Sequence, residues 1–479
     1  MASKVERSKL GLFDAMMLIM GSMIGSGIFL APSIIAGITH SSGLGPGSFV
    51  LIWIVGGLLT LCAALSFGEL ASSMPQTGGQ YVYLTQAFSS FWGYLYGWTL
   101  FTVIQSGFIA AVAVAFASYL GVFVPGVSQS QAAISLGSVT VSTVQLVSIL
   151  LIVGLTAINA RGLRAGTLVQ NILGIAKIGS LVGVIGFGFF YSAGSFSHFK
   201  PFLPPTVTLG VVTAFAVALS KALFAYDSWN VVTFLAAETK DSARLLPRAL
   251  LLGTLGVTVV YALTTAAYLY VLPLDQAAAV PDQRIAAQVA QLVIGPAGLT
   301  IIAVAILIST AGCDNGLILS GPWLYYAMAK DGLLFRGAAK LDPKTGTPVR
   351  SLWYQAIWAS ALVLTGSLGS RGAQLYSDLL TFTSFASLLF NVLTVAGLFV
   401  LRRKRPEMPR PSPVPLYPFV PLLFLVVAGF FLVFIAIGDP RNAGFGLLVI
   451  AAGVVPYVYA RRRGSGVHIM KEVAGGHRK

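Results

Sequence analysis

GSMIGSGIF, Gly21 to Phe29, is the stretch on which the reading of this chain turns. It interrupts an apolar segment running from Leu12 to Ile38, with three glycines and two serines in the seven residues from Gly21 to Gly27. Glycine costs about 1 kcal/mol against alanine inside a helix, so the helix is weakest where a membrane crossing should be most regular. Unpaired backbone groups in lipid cost several kcal/mol each, and a broken helix survives only inside protein or beside a water-filled cavity. A second interruption, FAYDSWN from Phe224 to Asn230, again falls within an apolar run. Discontinuous helices at matching positions in two halves point to the substrate site of a transporter. Taken singly, each stretch also has a plainer reading, in which Gly and Ser only allow close helix packing.

Composition sets the compartment. Of 479 residues, 56% are apolar and 9% charged, which excludes a soluble domain of this length. At about 20 apolar residues per crossing, twelve spans are expected: 12–38 (broken), 48–73, 92–122, 143–159, 166–192, 207–237 (broken), 248–271, 298–328, 352–368, 375–401, 416–437 and 443–460. The first is too long for a cleaved signal and no small-residue cleavage site ends it. With the N-terminus in the cytoplasm, 24 Lys and Arg fall on the inner side and four, Lys200, Arg284, Arg371 and Arg441, on the outer side. That asymmetry satisfies the positive-inside rule with both termini cytoplasmic. The excess of 30 basic over 15 acidic residues is therefore a topology signal, and no nucleic-acid partner is expected. Cys62 and Cys313 both lie in apolar spans, so no disulfide framework is expected either.

The connections have some shape of their own. Pro75 to Gly79 and the aromatic-rich run to Trp98 suggest an amphipathic element on the cytoplasmic side before the third span. In the outer loop 272–297, Ala286-Ala287, Val289-Ala290 and Leu292-Val293 suit a short helix. Arg402 to Pro418 is a Pro-rich inner linker.

These stretches carry a resemblance. GSMIGSGIF, PQTGGQYVYLTQAF, FAYDSWN followed by ETKD and LPRAL, YYAMAKDGLLF, and LRRKRPEMPRP before PLYP occur in an order similar to that of the amino acid–polyamine–organocation (APC) superfamily. Within it the chain most resembles bacterial relatives of the L-type amino acid transporters, over essentially its whole length. The resemblance implies an all-α integral membrane protein with 12 transmembrane helices: a five-plus-five inverted repeat (LeuT-like) with broken helices 1 and 6, and two appended helices. The units would be a cytoplasmic N-terminus (1–11), two repeats (12–206 and 207–401), a cytoplasmic linker (402–415), the last two spans (416–463) and a cytoplasmic tail (464–479). Animal relatives link to a heavy subunit through an outer-loop cysteine. Neither cysteine here is in such a loop, so no disulfide-linked heavy subunit is expected.

The first break suits a zwitterion. A helix restarting near Ser26 or Gly27 presents free N–H groups and a positive end to a carboxylate, and Gly25 and Gly27 leave room for close approach. Carbonyls released at Met23, Ile24, Phe224 and Ala225 can accept from an α-ammonium. The resemblance implies the same division: the Ser26 and Gly27 amides for the carboxylate, the Met23, Phe224 and Asp227 backbone for the amine. It also makes Phe224 the aromatic gate closing over the substrate from outside, where the residues alone leave open an ordinary packing role.

Lys177 stands about 11 residues, roughly 16 Å of helix, from the cytoplasmic end of its span. Placing it there costs about 3 kcal/mol, so it should face the interior and be paired. The resemblance implies that its ammonium occupies the place of a sodium ion in coupled members of the fold, bridging the first break and the eighth span; an unrelated structural ion pair is the other reading. Asp314, where the resemblance implies an uncharged residue, could pair with it. Asp227 could attract a cationic side chain, or only its backbone could matter. Lys221, six residues before it, would offset its charge if the break brings the two together.

Enzymatic chemistry finds little footing. His40, His198, His468 and His477 fall in loops or the tail, so no intramembrane metal cluster is expected. There is no phosphate loop of the GxxxxGK[ST] type, no cofactor is implied, and no Ser–His–acid set can be confined to one side. The expectation is a multi-pass carrier of the cytoplasmic membrane, exchanging small or medium neutral amino acids by alternating access without sodium. Proton-coupled or cationic amino acid transport, a non-transporting amino acid sensor and a channel are the alternatives.

Overall fold

Long runs of Leu, Ile, Val and Ala in a lipid environment must satisfy their backbone groups within the segment, which makes them helices. The computed structural model describes residues 9–136, 139–280, 284–365, 370–438 and 440–462, and it is all-α apart from one small hairpin. The first span is α1 (Leu12–Met23) and α2 (Gly27–Ser41), bent by 44° at the break. α3 (Pro46–Ser73) and the short α4 (Gln80–Ala87) follow. α5 (Ser90–Thr99) passes through a π turn at Leu100–Ile104 into α6 (Gln105–Leu120). The antiparallel strands β1 (Ala132–Leu136) and β2 (Val139–Ser142) lead to α7 (Thr143–Ala160) and α8 (Leu163–Phe189). α9 (Leu209–Ala225) and a 3-10 helix (Trp229–Glu238) form the second broken span. Then come α10 (Ser242–Val271), the short helices α11 (Leu274–Ala278) and α12 (Ile285–Ile294), and α13 (Ala297–Lys330). The chain ends in α14 (Val349–Thr365), α15 (Ser370–Lys404), α16 (Phe419–Gly438), α17 (Pro440–Ala452) and α18 (Val454–Arg462).

Among the described residues, ten helices are long and apolar enough to cross a membrane, or eleven spans with the bent pair α1–α2. The expected ninth span is α14, 17 residues long, and its continuation, 366–369, lies outside the described residues. The count of twelve is thus met in eleven places. The outer-loop helix expected between 272 and 297 is α12, which buries Ile285, Ala286, Val289 and Ala290. The β1–β2 pair was not anticipated, although ISL and VTVS carry β-branched residues that favour strands.

The segment read as a cytoplasmic amphipathic element is instead a buried insert: Gln80, Tyr81, Val82, Tyr83, Leu84 and Ala87 of α4 are all buried. Gly78 and Gly79 have φ of +113° and +47°, which side chains rarely adopt, and a Cβ on Gly79 would collide with Thr233. The chain can therefore turn in against the second broken span, where the Gly78 N–H donates to the Phe234 carbonyl (3.1 Å). The Tyr81 hydroxyl reaches Asp331 beyond the end of α13 (2.5 Å); burial raises the Asp331 carboxyl to about 6.

α1 packs against α8, α10 and α13, and α2 against α9, so the two breaks meet at the centre of the bundle. Leu10, before α1, is tied to the far end of the second broken span as well: its N–H donates to Glu238 O (2.8 Å) and the Lys240 N–H to Leu10 O (3.0 Å). The Pro-rich linker is anchored by Glu69, 1% exposed at the end of α3. Its carboxylate accepts from Arg402 Nε (2.8 Å) and the Val414 N–H (2.7 Å), with Arg410 Nε at 3.3 Å. Removing one member of a buried charge cluster strands the others at a cost of about 3 kcal/mol. Glu69→Gln is therefore expected to lower the melting temperature of the detergent-solubilised protein by several degrees, read by thermal-shift chromatography. An unchanged melting curve would show that the linker is held by other contacts.

Candidate functional site

The first break leaves five consecutive carbonyls without helical partners, and side chains from three other spans take them up. Lys177, buried in α8, donates its three ammonium hydrogens to Gly21 O (2.7 Å), Ile24 O (2.7 Å) and Ser309 O (2.8 Å). The Ser309 hydroxyl of α13 lies 3.0 Å from Ile24 O and 3.1 Å from Gly25 O. Cys313 Sγ is 3.0 Å from Ser22 O. The Tyr261 hydroxyl of α10 sits 3.1 Å from both Met23 O and Ala225 O, one carbonyl from each break. One hydroxyl hydrogen serves two acceptors, so at least one of these carbonyls can turn to another donor. Tyr261 is itself held edge-on to Trp53 (5.4 Å) and beside Tyr226 (5.0 Å).

The Ile24 carbonyl, a candidate ammonium acceptor, already accepts from Lys177 and shares the Ser309 hydroxyl with Gly25 O. Met23, Phe224 and Ala225 remain near the junction. α2 begins at Gly27 with Ser26 as its N-cap; both residues are partly exposed, and neither amide bonds to another backbone group. Gly25 and Gly27 are small for reasons visible in the packing. A Cβ on Gly25 would come within 3.2 Å of Cys313 Sγ, and one on Gly27 within 2.8 Å of the Ala225 Cβ.

In the second break α9 stops at Ala225, Ser228 takes a left-handed φ of +69°, and the chain resumes as a 3-10 helix rather than an α-helix. Asp227 Oδ1 accepts from the Ser228 N–H (2.7 Å) and the Ser387 hydroxyl (3.2 Å). Two cavities meet at Asp227 and Ser387. The smaller, of about 10 Å³, is lined by Gln80, Tyr96, Gln105, Phe108 and the π turn of the third span; such turns often mark functional sites. The larger, of about 80 Å³, is lined by Thr60, Ser220, Phe224 and Phe424. Phe224 is 40% exposed and its ring stands 5.9 Å from that of Phe108. A third, almost wholly apolar cavity of about 240 Å³ lies between α8, α12 and α13; it has no group that would hold a zwitterion.

Two expected pairings are absent among the described residues. Lys221 is exposed and makes no ion pair with Asp227. Asp314 makes none with Lys177; it is fully buried and neither carboxylate oxygen has a hydrogen-bond partner. Several members of the site were not singled out in the sequence: Tyr261, Ser309, and the buried chain in which Asn159 donates to Asn315, and Asn315 to Gln170. Another buried set, Gln80 with Asn230, Asn391 and Thr394, ties α4 to the second break and α15. The signal available was a polar residue inside an apolar span.

Residues 10–456 match the family model described as Amino acid permease. The chain is 29% identical over 460 residues to the Serine/threonine exchanger SteT of Bacillus subtilis (strain 168), covering 95% of this chain and 98% of that one. It is 29% identical over 454 residues to the b(0,+)-type amino acid transporter 1 of Mus musculus (94% and 87%). It is 28% identical over 463 residues to the Large neutral amino acids transporter small subunit 2 of Homo sapiens (94% and 80%).

Proposed function

Because the chain belongs to the amino acid permease family, and so is a multi-pass amino acid transporter and not an enzyme, we propose that it is a sodium-independent exchanger of small and medium neutral L-amino acids. It works by alternating access in the cytoplasmic membrane, with residues 12–206 and 207–401 as its two repeats and both termini inside. The observation that carries this reading is the Lys177 ammonium, held by Gly21 O, Ile24 O and Ser309 O. A fixed cation already joins the break to the eighth span, so no sodium ion is needed there. The substrate carboxylate would take the Ser26 and Gly27 amides at the start of α2, its ammonium the Met23, Phe224, Ala225 and Asp227 backbone. Phe224 would close over it from outside. The subunit works without a disulfide-linked partner, since Cys62 lies within α3 and Cys313 is buried in α13.

Charge selectivity turns on Asp227. A second reading, transport of arginine or lysine, gains from the exposure of Lys221, which leaves Asp227 without the offsetting ammonium that the sequence suggested. Against it, the Asp227 carboxylate is already held by the Ser228 amide and the Ser387 hydroxyl, and Lys177 adds a positive charge to the same core. In proteoliposomes, uptake of labelled alanine competed by a panel of unlabelled amino acids is expected to be blocked by alanine, serine and threonine well before arginine or lysine. If the cationic substrates win, Asp227 is a side-chain ligand, and Asp227→Asn should then remove them selectively while sparing alanine.

A further inference from the structure

Asp314 lies near the middle of α13, 0% exposed, and both of its carboxylate oxygens lack a hydrogen-bond partner among the described residues. An ionised carboxylate at this depth costs at least about 3 kcal/mol unless it is paired, and buried acceptors left unpaired add to that cost. The nearest available cation is already committed. An ammonium has three hydrogens, and all three of those on Lys177 go to backbone carbonyls. No Lys, Arg or His nitrogen stands within 4.0 Å of Asp314 among the described residues.

The other helices packed around α13 offer nothing in its place. α7 and α12 carry no acid or base, α6 has Tyr119 in its last turn, and α5 has Tyr94 and Tyr96. Asp14 on α1, Arg164 on α8, Glu238 on the 3-10 helix, Arg336 after α13 and Arg350 on α14 lie toward the cytoplasmic ends of their elements. The groups whose fields couple to Asp314 are Lys177 and its own neighbour Cys313.

We propose that Asp314 is a proton-binding site: its carboxylate takes one proton from the aqueous phase to become a neutral acid. Binding changes the charge at this site from −1 to 0, so the core that also contains Lys177 goes from neutral to +1. Since Lys177 is bound to the carbonyls of the first break, that change acts where the proposed substrate sits and makes exchange depend on pH. The link to exchange rests on the transport reading above; the protonation itself does not.

Infrared difference spectra of the protein in liposomes test the protonation directly. Wild type minus Asp314→Asn at neutral pH should show one protonated-carboxyl C=O band, lost in the variant. The absence of any such band between neutral and mildly acidic pH overturns the proposal. If Asp314→Asn does not insert, Asp314→Glu serves instead, with a band shifted rather than lost; identical spectra for Glu and wild type overturn it. In the second arm, wild-type exchange should change several-fold from neutral to alkaline pH, where the carboxyl gives up its proton, with Asp314→Asn flat and Asp314→Glu still stepped. An Asp314→Asn variant with the wild-type profile, or a flat wild type, overturns the coupling. A wild type that moves no amino acid at any pH counts against the transport reading alone, and the infrared arm still decides protonation.

Discussion

Lys177→Ala is expected to abolish amino acid exchange while leaving the protein inserted and monodisperse. The variant loses three charge-assisted hydrogen bonds, two of them to the carbonyls of Gly21, in the last turn of α1, and Ile24, which caps it. Bonds to charged groups are worth about 2 kcal/mol each, and one alone corresponds to a roughly 30-fold change in an equilibrium. With all three gone, the break loses its tie to α8, and the neutral contacts of the Ser309 hydroxyl with Ile24 O and Gly25 O and of Cys313 with Ser22 O are what still join it to α13. Lys177→Met, which keeps a long apolar stem without the charge, should fail in the same way. Wild-type exchange should be the same in sodium and in choline buffers, because the cation is part of the protein. Substantial exchange by Lys177→Ala, measured with labelled alanine, would remove the lysine from the mechanism.

Gly27→Leu is the second large effect. A Cβ at Gly27 would stand 2.8 Å from the Ala225 Cβ and 3.1 Å from its Cα, closer than carbon atoms pack. Adding carbon to a filled core costs about 1–3 kcal/mol, and here it wedges the two breaks apart. Gly27→Ala should already bind substrate weakly; Gly27→Leu should not bind it at all, because its longer side chain also covers the Ser26 and Gly27 amides. A steric variant cannot by itself separate a packing role from a ligand role. Substrate chemistry can: amino acid amides, which lack the carboxylate, should compete poorly for the unmodified protein. Strong inhibition by an amide would move the carboxylate away from the start of α2.

What could be read in the sequence and what could not differ for physical reasons. The first break was legible because Gly and Ser are poor helix formers whatever surrounds them, and α1 and α2 divide within that stretch. Lys177 was legible because a charge inside an apolar run must find partners. Its three acceptors, however, are backbone carbonyls, which no residue pattern advertises. The burial of α4 was hidden: QYVYLTQA looks like a surface helix, and it turns inward only because Gly78 and Gly79 adopt positive φ against Thr233 and Phe234. The pairing of Lys221 with Asp227 failed for a related reason. Which way a side chain points across a break depends on the backbone turn at Tyr226 to Ser228, and Lys221 faces outward. Asp314 was visible as an intramembrane acid, but its lack of a partner follows from Lys177 giving all three of its hydrogens to backbone carbonyls.

The account stands most directly on counterflow in proteoliposomes without sodium or a proton gradient. Labelled alanine should enter vesicles preloaded with unlabelled serine or threonine many-fold faster than empty ones, and the ratio should vanish in Lys177→Ala. Equal accumulation in empty vesicles, driven by an imposed proton gradient, would contradict obligatory exchange and make the protein a proton-coupled importer.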